Sequence, residues 1–172
     1  MLDATVKGSS ANSYITEVDA TAYLTAERLY VTVWTAATTS QREQALIWAT
    51  LLIDASFDFD GDKTTSTQAL RWPRIGMYDA DGLSINYDIL PSLLKKATST
   101  YALNLLTTNR VAEPGLLGLG IEEAKVGPIQ VRINVADVKE IVPDDIQILL
   151  APFGSLKAAA SQGAATVTLK RA

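Results

Sequence analysis

The sequence predicts a mainly α fold: a small helical domain of three main helices plus a short C-terminal helix, with a long structured loop or hairpin and a minor C-terminal β element. Three observations predict it. Capping signals at Thr16, at Ser40 to Glu43 and at Pro91 each open a stretch whose apolar residues recur at helical spacing. Residues 57–90, about 34 in all, lack helical periodicity and far exceed an ordinary connection, so they should hold a hairpin or carry function. Period-two alternation arrives only late, where Ile129, Val131, Ile133 and Val135 interleave with Gln130, Arg132 and Asn134.

Residues 1–15 are small and polar until Tyr14-Ile15 and read as an extended arm. Thr16 with Asp19 is a near relative of the capping box and starts the first helix, which should reach Leu29 or Tyr30. Val18, Ala22, Ala26 and Leu29 share one face of it and are the expected core side. Val31 to Trp34 is β-branched and reads as a turn of strand or a connector. Ser40-Gln41-Arg42-Glu43 is a full capping box for a second helix ending near Ala55, whose centre from Ala45 to Ile53 is apolar nearly all the way round and must be surrounded. Pro91 suits the first position of a third helix reaching about Leu106, with Leu94, Ala97, Tyr101 and Leu105 on one face. Pro143-Asp144-Asp145 opens a short helix through about Leu150, its acids placed well for the helix dipole, and Pro152 closes it. The organisation is thus an arm at 1–15, a helical core at 16–108 containing the loop 57–90, an apolar glycine-rich linker at 109–120, a strand and short helix at 121–153, and a tail at 154–172.

Composition narrows the chemistry. The 172 residues are 48% hydrophobic and 20% charged, enough for one compact domain with a core, and they include no cysteine and no histidine. Serine-histidine and cysteine-histidine nucleophiles are therefore excluded, as is a zinc site of sulfur or imidazole, and neither catalytic residue, metal nor cofactor is expected. The net charge of −4 argues against a protein whose main task is gripping phosphate backbones. That charge is uneven: residues 61–110 hold six bases and four acids, the only basic third of the chain. No secretory signal and no bilayer-length apolar run is visible, so the expectation is a soluble protein made in a cytoplasm, with no membrane partner.

The most informative stretch is Ser66 to Gly82. Pro73 pushes Trp72 out of the α region, so Arg71-Trp72-Pro73-Arg74 should run extended with two guanidinium groups flanking one indole. Asp79, Asp81 and Gly82 then read as a tight turn. Two uses compete. Trp72 with Arg71 and Arg74 could stack on single-stranded nucleic acid, as aromatic platforms beside cations do. Alternatively Trp72 plugs the core while the arginines pair with acids such as Asp79 or Asp81, making the run a structural clasp or subunit contact; the acidic balance favours this. Asp58, Asp60 and Asp62 do not fit a calcium loop, since residue 69 is Ala where that loop needs Glu, and read as a solvated acidic loop. Gly115, Gly118 and Gly120 do not match a dinucleotide fingerprint. Leu116, Leu117 and Leu119 on that linker, and Val167, Leu169, Lys170 and Arg171 in the tail, are expected contacts with a neighbouring subunit or partner.

Ala11-Asn12-Ser13-Tyr14-Ile15, the capped apolar second helix, Gln68-Ala69-Leu70-Arg71-Trp72-Pro73-Arg74, the Asp81-Gly82 turn and Leu90-Pro91 together resemble the head-tail connector, or head-completion adaptor, proteins of tailed bacteriophages. Related sequences are often labelled DnaT-like single-stranded-DNA-binding proteins. The resemblance covers residues 8–106 well and the remainder in general layout. It implies a structural, non-enzymatic virion protein: a homo-oligomeric ring, commonly of about twelve subunits, docked on the portal protein and joined to the tail or next neck protein. Genomic DNA would pass its channel without specific binding, and the protein would sit in the virion neck after synthesis in a bacterial host cytoplasm. The alternative is a DnaT-like, replication-type protein that binds single-stranded DNA.

Overall fold

The computed structural model describes residues 1–79, 81–108 and 141–157, and the backbone of 123–126 and 129–132. It is mainly α with minor β. The helices are α1 (Glu17–Glu27), α2 (Thr32–Ala36), α3 (Thr39–Ser56), α4 (Ser92–Thr107) and α5 (Asp144–Leu150). Among the described residues three two-stranded antiparallel pairs accompany them: β1 (Phe57–Phe59) with β6 (Gly154–Leu156), β2 (Asp62–Lys63) with β3 (Arg74–Ile75), and β4 (Glu123–Val126) with β5 (Ile129–Arg132). Among the described residues no helix is long and apolar enough to cross a membrane.

The α3 and α4 pair forms the centre, and α1, α2 and α5 pack on α4. Leu46, Ala49 and Ile53 of α3 fall on one helical face and meet a core that includes Leu94, Ala97 and Tyr101 of α4, Ile146 and Leu150 of α5, and Trp34 of α2. The opposite side of α3 leaves Trp48 and Leu51 partly in water, so among the described residues the apolar run is not surrounded. Trp34 satisfies its indole by donating from Nε1 to Thr21 Oγ1 at 2.9 Å.

Several local expectations change. The cap of α3 is Thr38, not Ser40: its hydroxyl accepts from Gln41 N at 3.3 Å while Gln41 Oε1 accepts from Thr38 N at 2.9 Å. Val31 to Trp34 enters a helix rather than a strand, and α1 ends at Glu27. The buried face of α1 is Ala20 and Leu24, whereas Val18, Ala22, Ala26 and Leu29 face water. Ion pairs orient the helix: Arg42 of α3 reaches Glu17 at 2.9 Å, and Lys96 of α4 pairs with Glu27. Residues 1–15 do not form a free arm. Asn12 N donates to Asp3 O at 2.8 Å, Ala69 N donates to Gly8 O at 3.0 Å, and Tyr14 and Ile15 are core residues.

Residues 154–156, expected in a tail, pair with β1, placing Phe57 opposite Leu156 and Phe59 opposite Gly154. Only glycine fits there, because a Cβ at 154 would lie 2.2 Å from Asp58 O. The alternation from Ile129 is a strand as far as Arg132; Ile133 and Val135 lie outside the described residues.

Candidate functional site

The long loop divides into an inward and an outward half. In the inward half, Gln68 is buried and organises the backbone: Nε2 donates to Leu70 O at 3.0 Å and Pro73 O at 3.1 Å, while Oε1 accepts from Thr65 N at 3.0 Å. The Trp72-Pro73 peptide bond is cis. Trp72 is 2% exposed and packs edge-on against Phe59 and Phe153, with ring centroids 5.9 and 5.2 Å away. A ring so placed cannot stack on a base.

The flanking arginines do not pair with Asp79 or Asp81. Arg71 Nη1 donates to Phe57 O at 3.0 Å and lies 3.7 Å from Asp58 Oδ1, and Arg74 fans out to the carbonyls of Phe59, Asp60, Gly61 and Arg71. Backbone carbonyls left by the tight β1 to β2 connection need donors, and the guanidinium fork supplies several at once. Gly61 sits at φ +65° in that connection, where a Cβ would lie 2.2 Å from Ile75 O.

Beneath this half, Asp54 accepts from Arg71 N at 3.1 Å and from the Tyr14 hydroxyl, tying α3 to the loop and the N-terminal segment. Burial raises the Asp54 pKa, against the opposing effect of its hydrogen bonds and of nearby Arg71 and Lys63. Burial, then the Asp54 charge, pushes Tyr14 well above the ordinary phenol value. Through these bonds the pair serves the fold.

The outward half is different in chemistry. Asp79 Oδ1 accepts from Asp81 N at 3.0 Å and Leu83 N at 2.8 Å, Gly82 adopts φ +79°, and Tyr78 bridges to Ser84. The expected turn is therefore the tip of a small hairpin. It displays Tyr78, 61% exposed, and the chain just beyond it displays Tyr87, 52% exposed. Lys7 Nζ stands 5.5 Å over the Tyr87 ring and pairs with Asp88. Thr64 Oγ1 donates to Tyr87 O at 3.2 Å, whereas Lys63 of β2 turns its Nζ to Gln68 O at 3.2 Å, in the inward half.

Two exposed rings unmarked in the sequence, Tyr78 and Tyr87, with Lys7 over the second, give water the aromatic faces that Trp72 does not. The available signal was Tyr78 and Tyr87 on either side of the Asp79 to Gly82 turn. Leu116, Leu117, Leu119, Val167, Leu169, Lys170 and Arg171 lie outside the described residues. Among the described residues, no group of three acidic side chains is placed to hold a metal.

A family model described as "Putative DnaT-like ssDNA binding protein" matches residues 2–172. The chain belongs to this DnaT-like family. No curated protein and no solved structure matches the chain. The family match overturns the head-tail connector reading, whose most specific part was the Trp72-Pro73-Arg74 run with the Asp81-Gly82 turn and the third helix: nothing points to a portal-docked adaptor of the virion neck. The physical reason lies in the run itself. Gln68, Trp72 and Arg74 of this DnaT-like chain are consumed in folding the loop, so they mark a shared fold and carry no information about a virion partner.

Proposed function

We propose that the chain binds single-stranded DNA as a non-enzymatic protein, using the outward half of the loop. The match of the DnaT-like family model across residues 2–172 carries this reading. The loop supports it chemically. Bases of any sequence stack on exposed aromatic rings, and Tyr78 and Tyr87 offer two such rings while Lys7, over the Tyr87 ring, offers charge to a phosphate beside it. Duplex DNA, with its bases already stacked, gains little from such a surface.

The same surface predicts a particular kind of binding. Asp79, Asp81 and Asp88 surround the rings, and the whole chain is acidic, so stacking supplies more of the affinity than counterion release. Neutralising about one phosphate of a single strand gives a slope of roughly −0.7 in log affinity against log salt. Fluorescence anisotropy with labelled oligo-dT and with a duplex of equal length, across a salt series, tests this. Binding confined to the single strand with a shallow slope is expected. Failure to retain oligo-dT at low salt, or equal affinity for duplex, would overturn it.

A further inference from the structure

We propose that the outer edge of β6 is a strand-addition site, taken by residues 166–171 of the chain's own C-terminal segment. The β1 and β6 pair has two outer edges, and they differ. Lys157 N donates to Ser56 O at 2.7 Å and Asp60 N to Phe153 O at 3.0 Å, so with Phe57 opposite Leu156 the pair that exchanges both bonds inside the ladder is Asp58 with Ser155. The backbone groups of Phe57, Phe59, Gly154 and Leu156 therefore point outward. On the β1 side the fold supplies partners: Phe57 N donates to Ile53 O, Arg71 Nη1 donates to Phe57 O at 3.0 Å, and Arg74 Nη2 donates to Phe59 O at 3.2 Å. On the β6 side, among the described residues, the backbone of Gly154 and Leu156 meets no partner.

An open strand edge is a template for an extended segment, and the ground beside this one is apolar. A groove runs along it, lined by Phe57, Ile148, Ala151 and Leu156, with Ile148 72% and Leu156 40% exposed. Strand addition uses both features. Main-chain bonds hold the incoming segment, and its alternate side chains fill the apolar ground.

Position and pattern choose the occupant. Residues 158–172 begin where β6 ends, one residue past Leu156 and Lys157, so they start at the open edge itself. Residues 158–165, Ala-Ala-Ala-Ser-Gln-Gly-Ala-Ala, are small and more than long enough for an antiparallel return. Thr166-Val167-Thr168-Leu169-Lys170-Arg171 then places Val167 and Leu169 two apart, the spacing that sets both on one face of a strand. Turned toward Ile148 and Leu156, those two close the groove, and Thr166, Thr168 and Lys170 go to water. A linker this short gives the chain's own segment an effective concentration of roughly millimolar, so at micromolar protein it outcompetes the same segment of a second copy.

Amide hydrogen exchange of the full chain without DNA, resolved by residue with NMR, tests this. The Gly154 and Leu156 amides should exchange about a hundredfold or more slowly than in the full-length double variant Val167→Asp with Leu169→Asp. The Ser155 amide, which faces Asp58 across the ladder, should be equally slow in both proteins and serves as the internal control. Ile148→Asp, on the groove side, should release Gly154 and Leu156 as the double variant does. Fast exchange at both positions in the unaltered chain would overturn the proposal, as would slow exchange that survives in the double variant. Protection that fades on dilution would also overturn it, because the added strand would then come from a second copy. Because no nucleic acid is present, the result stands apart from whether the loop binds DNA.

Discussion

Trp72 and Tyr87 belong to one loop and do opposite things. Trp72 is enclosed by Phe59 and Phe153, and its neighbours Gln68 and Arg74 spend their donors on carbonyls of the chain itself. Tyr87 lies half in water with Lys7 above its ring, and its neighbour Asp88 holds that lysine. Both rings are aromatic beside cations, the pattern that signals nucleic-acid contact. Only solvent exposure separates a recognition platform from a core plug, and exposure is a property of the folded chain.

The comparison breaks first at Trp72. Trp72→Ala should destabilise the fold by about 3–5 kcal/mol, the cost of emptying an aromatic core site. Trp72→Phe should cost markedly less, because it also removes an indole Nε1 that has no acceptor among the described residues. Urea denaturation followed by circular dichroism separates the two; equal losses would mean that the indole N–H contributes. Tyr87→Ala inverts the outcome. Stability should change by less than about 0.5 kcal/mol at so exposed a site. Affinity for oligo-dT should fall by the worth of one stacked base, about 1–3 kcal/mol, read by anisotropy. A variant that unfolds without changing affinity per folded molecule would move Tyr87 to the inward class.

The cations sharpen the same contrast at smaller scale. Arg74→Lys should cost about 1–2 kcal/mol of stability, since one ammonium cannot reach the carbonyls of Phe59, Gly61 and Arg71 together. Lys7→Ala should leave the melt nearly unchanged and make the salt slope of oligo-dT binding shallower by roughly 0.7, one phosphate's share. Swapped outcomes would mean that the loop's halves are assigned the wrong way round.

The elements legible in the sequence were those where local chemistry and tertiary demand agree. Helix α4 runs from the Pro91 signal with Leu94, Ala97 and Tyr101 inward, and α5 follows Pro143 with Asp144 and Asp145 in its first turn. Where two local solutions were equally good, the sequence could not choose. Thr38 with Gln41 and Ser40 with Glu43 both satisfy the capping pattern, and the fold uses the first. Helix α1 carries two apolar stripes, and the choice was made at a distance by Arg42 and Lys96. The proposed binding surface was the least legible, because Tyr78 and Tyr87 match no motif and differ from buried tyrosines such as Tyr14 and Tyr101 only in what surrounds them.

The smallest effect concerns the carboxylate under the inward half. Asp54 sits between Tyr14 and the Arg71 amide, and desolvation holds its folded pKa above the ordinary carboxylate range. A group shifted upward on folding contributes stability that is complete below its unfolded pKa and lost as pH rises through the folded one. Going from pH 7 toward 4, the wild type should therefore gain stability relative to Asp54→Asn, whose amide keeps an acceptor for Arg71 N without titrating. Taking the difference between the two proteins at each pH cancels the other acids. Thermal melts across that window give the sign. The opposite slope would mean that the Tyr14 hydroxyl and the Arg71 amide outweigh burial, making Asp54 an anchor in its charged form. Tyr87→Ala carried through the same pH series should track the wild type, since only the inward half of the loop rests on this carboxylate.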